Sequence, residues 1–441
     1  MNSDGDETIA QSDNRAANLK MGRGTRNYVL AVLTLVYVFN FIDRQILVIL
    51  QESIKAEMGL SDLQLGLLSG ITFALFYTIM GIPIARWADR ANRRNIIAVS
   101  LTVWSGMTAL CGMAQSYVQL ALARVGVGIG EAGGSPPAHS IISDYFPRGE
   151  RGRALSIYSA GIYVGIMLGY LAGGWANQYF GWRMTFLIVG LPGLAIALLV
   201  RFTITEPVRG LSEATSSAAK SPPLREALAI LWSYPSFRYF SIASGLTAFM
   251  GYGIGNFTPS FLARSHGLSS GEIGTILGLM SGGAGVLGTF LGGYLADRLS
   301  VRGMHWYGWV PAFGLFLGTP VRLLGFMSGD LTIAIAAMAV GLMLDTLYLG
   351  PTIAACHGLV GPRMRALTSS ILFFVLNLIG LGLGPLFVGG MSDYLEPTYG
   401  IDSLKYAIII TVFMALISGL VYMRGAWHYD RDMARRDREA R

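Results

Sequence analysis

The chain has 441 residues, of which 53% are hydrophobic and 13% charged, with 57 glycines and a mean hydropathy of +0.51. Soluble domains carry about a quarter charged residues, so this composition speaks against a water-soluble enzyme, and the absence of any three-residue glycine period excludes a collagen-like chain. The net charge of +7 is spread over loops between apolar runs, which leaves no need for a nucleic-acid partner.

Residues 1–26 are polar and hold no apolar core of the signal-peptide kind, so the first apolar segment is expected to remain as a helix. Crossing a bilayer takes about 20 apolar residues per helix. Apolar runs of that kind fall at 27–50, 63–85, 95–115, 117–143, 154–177 and 183–204. They resume at 236–262, 272–296, 306–327, 331–357, 366–391 and 404–423. The segment 205–235, with Pro207, Lys220, Pro222 and Pro223, reads as a linker between two six-span sets, 27–204 and 236–424, and 425–441 as a polar tail. The expected fold is all-α, with twelve transmembrane helices in two six-helix bundles. Glycine at this density suits close helix crossings in lipid.

Lys and Arg collect on the cytoplasmic side of a membrane. The N-terminal segment carries Arg15, Lys20, Arg23 and Arg26, the second loop Arg86, Arg90, Arg93 and Arg94, and the fourth loop Arg148, Arg151 and Arg153. The linker, the eighth and tenth loops and the tail continue the series, whereas the odd-numbered loops hold only Lys55, Arg183, Arg264 and Lys405. Both termini are therefore expected in the cytoplasm. Arg outnumbers Lys 29 to 4, a compositional pointer to a GC-rich bacterial genome and hence an inner membrane.

The two halves repeat. ARWADRANRR after the second span, with Ala85, Asp89, Arg90, Arg93 and Arg94, matches GGYLADRLSVR after the eighth, with Gly293, Asp297, Arg298 and Arg302, 208 positions on. RALSI at Arg153 is echoed by RALTSSI at Arg365, and the fifth and eleventh spans both carry glycine stripes: Gly161, Gly165, Gly169, Gly173 and Gly174 against Gly380, Gly384, Gly389 and Gly390. Duplication of this kind is what parallel transporter repeats predict.

The small-x-x-x-Asp-Arg-x-x-Arg-Arg loop on a six-plus-six plan resembles the major facilitator superfamily over essentially the whole chain, with Ala85 where that family usually has Gly. The resemblance implies that these loops gate the cytoplasmic side. Asp89 would sit near the positive end of a helix while Arg90, Arg93 and Arg94 meet a carboxylate such as Asp144; Asp297 and Arg298 are the second-half counterparts. NFIDRQ at 40–45 and RVGVGIGEAGGSPPAHSIISDYFP at 124–147 are similar to the spinster family of lysolipid and sphingosine-phosphate transporters. That family carries Asp-Arg in its first span and Arg followed by Gly-Glu-Ala in its fourth.

A charge near the bilayer centre costs about 2.5–3.5 kcal/mol, so such residues line a cavity or meet a partner. The first half holds four: Asp43, Arg44, Arg124 and Glu131. At 1.5 Å rise per residue Asp43 and Arg124 fall at similar depth, and Glu131 lies about 10 Å from Arg124 along the same helix face. The expectation is that Arg124 changes partner between Asp43 and Glu131 as protons bind; the alternative is a static ion-pair network. In the second half Asp345 is the clear deep carboxylate, standing before Pro351 much as Glu131 stands before its own proline, and Arg322 is expected to snorkel. Tyr252, Asn256, Phe257, Tyr348, Phe373, Phe374 and Asn377 form a candidate weakly polar wall for substrate.

Arg44 and Arg124 suit an oxyanion and the aromatic second half a hydrocarbon chain, which together favour an amphiphilic anion. The expected activity is proton-coupled secondary transport by alternating access, by a monomer without cofactor or metal. A carrier of smaller organic anions or drugs, and a scramblase or receptor on the same plan, remain as alternatives. Gly128, Gly130 and Gly133 form GxGxxG, but inside a membrane span this is not a dinucleotide site. The five histidines lack metal-ligand spacing, and His139 and His357 read as packed or hydrogen-bonded helix residues. Cys111 and Cys356 read as small buried hydrophobes.

Overall fold

The computed structural model describes residues 22–88, 90–207, 223–361 and 364–439. Among them all regular structure is helical, and each of the twelve expected spans lies on helix. Arg23–Met58 is the first span, Asp62–Ser69 with Ile71–Ala88 the second, Arg93–Cys111 the third, and Tyr117–Glu131 with Ser135–Tyr145 the fourth. One continuous stretch, Arg148–Thr203, holds the fifth and sixth, which part at Gly181 with φ 75° and ψ 165°, a conformation that favours glycine. Pro235–His266 is the seventh, Ser270–Ser300 the eighth, Trp306–Met327 the ninth and Leu331–Gly358 the tenth. The eleventh runs from Arg365 to Tyr399 and the twelfth from Ser403 to Glu439. Among the described residues, seven helical stretches are long and apolar enough to cross a membrane by length and composition.

The helices start where the sequence supplies caps. Ser61 and Ser269, 208 positions apart, each form a capping box, with Gln64 and Glu272 returning a bond to the cap backbone. Ser116 and Asp330 cap the fourth and tenth spans. The repeat is thus written into the helix starts as well as the loops. Glycine-rich SGGAG at Ser281–Gly285 and the Leu376–Leu383 segment widen to π-helix inside the eighth and eleventh spans.

The described residues of Met1–Ile46, Ile79–Gly169 and Arg183–Ala218 form one compact unit. Its core contains Trp104, Leu101, Val127 and Phe186, all fully buried. Gly161 and Gly165 of the fifth span lie against Thr34 and Val38 of the first, and Gly130 lies on the backbone of Trp104, so GxGxxG here serves a helix crossing. The stacked rings of Tyr37 and Tyr158, with His139 edge-on to Tyr158 at 5.2 Å, fill the same unit.

Leu47–Thr78, Tyr170–Trp182 and the described residues of Ala219–Arg441 form the other unit. Within it the eleventh span crosses the second at Gly66 and Gly389, which lie on the backbones of Pro385 and Asp62. The eighth crosses the 170–182 stretch at Gly174 and Gly274, which lie on Ser270 and Tyr170. Part of the expected linker, Leu224–Ser233, is helical. The expected polar tail continues the last helix to Glu439, and buried Asp432 accepts from the Ser236 amide at 2.9 Å and its hydroxyl at 2.5 Å. Cys111 and Cys356 are free and fully buried.

Candidate functional site

The intramembrane charges of the first unit sit together and face inward. Asp43, Arg124 and Glu131 are 1%, 2% and 1% exposed. Helical periodicity brings Asp43 and Arg44 from the first span, and Arg124 and Glu131 from the fourth, to one place. Glu131 is held by Arg44, whose Nε donates to Oε2 at 2.7 Å, and Arg44 also stands over the Phe41 ring at 5.0 Å. The sequence reading, in which Arg124 alternates between Asp43 and Glu131 and both Arg44 and Arg124 suit an oxyanion, did not foresee Arg44 as a partner of Glu131. Consecutive residues point about 100° apart on a helix, and depth alone does not tell which of the two turns toward Glu131. Asp43 lies near Arg124, with Trp104 and Thr108 of the third span beside it. One oxygen of Asp43 and one of Glu131 are buried without a protein donor. Of the four, Arg44 keeps the most accessible side chain, 16% exposed against 0% for Glu131.

The expected loop cluster is partly present. Arg93, 2% exposed, donates to Asp144 at 2.5 Å, to Ser140 at 2.7 Å and to Glu206 at 2.7 Å. Glu206 also accepts from the Arg94 amide at 2.9 Å. The sequence reading named Asp144 but missed Glu206, which stands alone after the sixth span. Arg90 is exposed, and Asp89 lies outside the described residues. In the second half Asp297 accepts from the Tyr307 hydroxyl at 2.8 Å and Arg298 donates to Tyr294 at 3.0 Å, both local contacts.

A second charged cluster was not foreseen. At the Ser61 end of the second span, Arg264 donates to Asp62 through two nitrogens at 2.7 Å each and to Glu52 at 2.7–3.1 Å. Asp62 also accepts from Lys55 at 2.5 Å and Ser392 at 2.6 Å, while Asp393 accepts from the Asp62 and Leu63 amides at 2.9 Å. The only sequence signal was a lone Arg264 in a region otherwise poor in positive charge.

The second-half wall divides. Phe257 is fully buried and belongs to the core, a correction to its reading as a wall residue, while the amide of Asn256 is spent on the Tyr252 carbonyl at 2.8 Å. Tyr252 and Phe373 are 38% and 41% exposed, Phe374 is exposed, and Tyr348 and Asn377 are half-buried. Arg322 does not snorkel: it is buried and forms an ion pair with Asp345. His357 bonds Ser369 at 2.6 Å, in keeping with a hydrogen-bonded helix residue.

Comparison with known proteins follows the same lines. Residues 33–385 match the model of the Major Facilitator Superfamily. An MFS-type efflux pump of Mycolicibacterium smegmatis is 35% identical over 92% of this chain and 93% of its own. Protein spinster homolog 1 of Xenopus tropicalis is 27% identical over 98% of this chain and 87% of its own. Among solved structures, a bacterial homolog of the human lysosomal transporter spinster, inward-facing and unoccupied, aligns with TM-score 0.88 at 34% identity, covering 93% of this chain and 99% of that one. With twelve helical spans, a duplicated loop and buried charges in the first half, the chain belongs to the major facilitator superfamily, a multi-pass membrane transporter related to spinster proteins and not an enzyme.

Proposed function

We propose that the protein is a proton-coupled secondary transporter that moves an amphiphilic anion, of the lysophospholipid or sphingosine-phosphate kind, by alternating access. It would work as a monomer in a bacterial inner membrane with both termini cytoplasmic. The observation that carries this reading is the Arg44–Glu131 pair at 2.7 Å beside buried Asp43 and Arg124. A protonated Glu131 no longer needs Arg44, and an anionic head group can take its place; the freed guanidinium offers the planar fork that suits phosphate or carboxylate. Arg124 bears by charge on both Asp43 and Glu131. The ionised carboxylate and the substrate anion then compete for the same cations, so proton binding favours anion binding, which is the coupling that transport requires. Tyr252, Tyr348, Phe373 and Asn377 supply the weakly polar surface for a hydrocarbon chain, and the Arg93–Asp144 contact, with Arg90, Arg94, Asp89, Asp297 and Arg298, serves gating.

A second reading, transport of smaller organic anions or drugs, draws on the M. smegmatis relative named an efflux pump and on a "Probable L-galactonate transporter" of Escherichia coli, 26% identical over 88% of this chain. Thermal shifts with a lysophospholipid, sphingosine phosphate, a sugar acid and a cationic drug separate the two. With the compound that stabilises, proteoliposomes under an imposed proton gradient are expected to concentrate it, and Glu131→Gln and Asp43→Asn to lose that accumulation. Accumulation retained by both variants overturns the coupling, and equilibration without concentration by the unaltered protein identifies a scramblase instead.

A further inference from the structure

The tenth span repeats the fourth in register. Its N-cap Asp330 stands 214 positions after Ser116, Asp345 the same distance after Glu131, and Pro351 the same distance after Pro137. Asp345 is therefore the repeat mate of the carboxylate at the centre of the first-half cluster. Like Glu131 it is buried, 4% exposed, and like Glu131 it forms an ion pair with an arginine, here Arg322 from the ninth span, 6% exposed.

How a buried carboxylate is supplied with donors separates two kinds in this protein. Asp62 accepts from Arg264, Lys55 and Ser392, a full set that holds it as an anion. Asp345 has Arg322 alone, and neither of its oxygens meets any other protein donor. Asp43 and Glu131 each keep one oxygen in that condition. Asp345 also stands where the Leu331–Asp345 helix tightens into the 3-10 turn Thr346–Tyr348 before continuing as Leu349–Gly358. The neighbours packed around it are uncharged: Gly318 of the ninth span approaches its oxygen, and Gly288 and Gly292 of the eighth lie on Met343 and Leu347. Arg322 is the one charged group bearing on it among the described residues.

We infer that Asp345 is a second proton-binding site, held by Arg322 in the C-terminal half and separate from the Asp43–Glu131 site. The step is a proton transfer from water to an Asp345 carboxylate oxygen and back, with Arg322 protonated throughout. Neutral Asp345 releases Arg322, directly before the turn that carries Tyr348.

Proton binding can be read without a substrate. Proteoliposomes on a solid-supported membrane, given pH jumps, report the charge displaced as protons bind. The Asp43→Asn/Glu131→Gln protein is expected to keep a displacement component that disappears on adding Asp345→Asn. Because Asp345→Asn leaves Arg322 buried and unpaired, the neutral pair Arg322→Gln/Asp345→Asn is made as well and is expected to lose the same component while remaining folded. If the Asp43→Asn/Glu131→Gln protein is already electrically silent, or if removing Asp345 in either background leaves the charge unchanged, Asp345 does not bind protons. Silence of the Asp43→Asn/Glu131→Gln protein alone still upholds first-half coupling, so the two readings fail separately.

Discussion

Gly66 and Gly274 stand 208 positions apart and each lies where one helix rests on another's backbone, Gly66 on Pro385 and Gly274 on Tyr170. A Cβ at either would fall inside van der Waals contact with a carbonyl oxygen, which cannot rotate away as a side chain can. Valine at either position is expected to cost about 1–3 kcal/mol through overpacking. Gly106, in the middle of the third span with nothing within 4 Å of a Cβ, is the control; Gly106→Ala is expected to be neutral or to stabilise by about 0.5–1 kcal/mol. Thermal unfolding of the purified protein in detergent decides it. Equal midpoints for Gly66→Val and Gly106→Ala would show that the crossing tolerates separation.

The Arg264 cluster ties the same crossing by charge. Asp62, whose side chain is 2% exposed, depends on Arg264 for two of its bonds. Arg264→Ala leaves Asp62 to Lys55 and Ser392 and half-exposed Glu52 without its cation, and is expected to destabilise by about 1–3 kcal/mol, the usual cost of losing charged hydrogen bonds at partly satisfied groups. Arg264→Lys restores the charge but not the planar fork, so it should fall between the two. Because Glu52 is half-exposed and its bond screened, Glu52→Gln should cost less than Asp62→Asn; the reverse order in unfolding midpoints would contradict the bonding described.

What was legible from sequence follows from what stands out against apolar background. Twelve spans, the duplicated loop and the charges Asp43, Arg124 and Glu131 are breaks in long hydrophobic runs, and they mark themselves. Which side chain meets which is set by tertiary crossing. Arg44 and Asp43 are neighbours in sequence yet serve different partners, and Arg322 looked like a residue near a span end until the ninth and tenth helices placed it on Asp345. Glu52 and Asp62 lie at span ends, where charge is ordinary and carries no signal, and Arg264 was marked only by the scarcity of positive charge around it. Gly181 shows the opposite limit: the sequence parts the fifth and sixth spans between 177 and 183, yet the helical hydrogen bonding runs through Gly181 and only its positive φ separates two spans.

Phe257 and Phe373 were read as one aromatic wall, and the structure separates them. Phe257 is fully buried, so Phe257→Ala removes a core side chain and is expected to cost about 3–5 kcal/mol of stability. Phe373 is 41% exposed, so Phe373→Ala should leave unfolding nearly unchanged, within about 0.5 kcal/mol, as exposed positions do. If Phe373 meets a hydrocarbon chain, its alanine variant weakens binding of a long-chain compound more than of its short-chain analogue. Titration of both chain lengths against both variants checks this, and a chain-length-independent loss would place Phe373 outside the substrate wall.

The pairing of Arg44 with Glu131 can be tested against the pairing with Arg124 by energetic coupling. Residues in direct contact couple by about 0.5–3 kcal/mol in double-mutant cycles, and residues without a shared bond couple weakly. Arg44→Gln alone leaves Glu131 with a buried charge and no bonded cation, whereas Arg44→Gln/Glu131→Gln removes both charges, so the double variant should recover much of the stability lost by the single. Arg124→Gln/Glu131→Gln should recover less, since the bonded nitrogen at Glu131 comes from Arg44, and Arg124→Gln/Asp43→Asn measures the charge coupling of Arg124 to Asp43. Unfolding midpoints of the four single and three double variants at neutral pH give all three couplings. A larger coupling for Arg124–Glu131 than for Arg44–Glu131 would reverse the assignment and return Arg124 to the role of the cation that follows the proton.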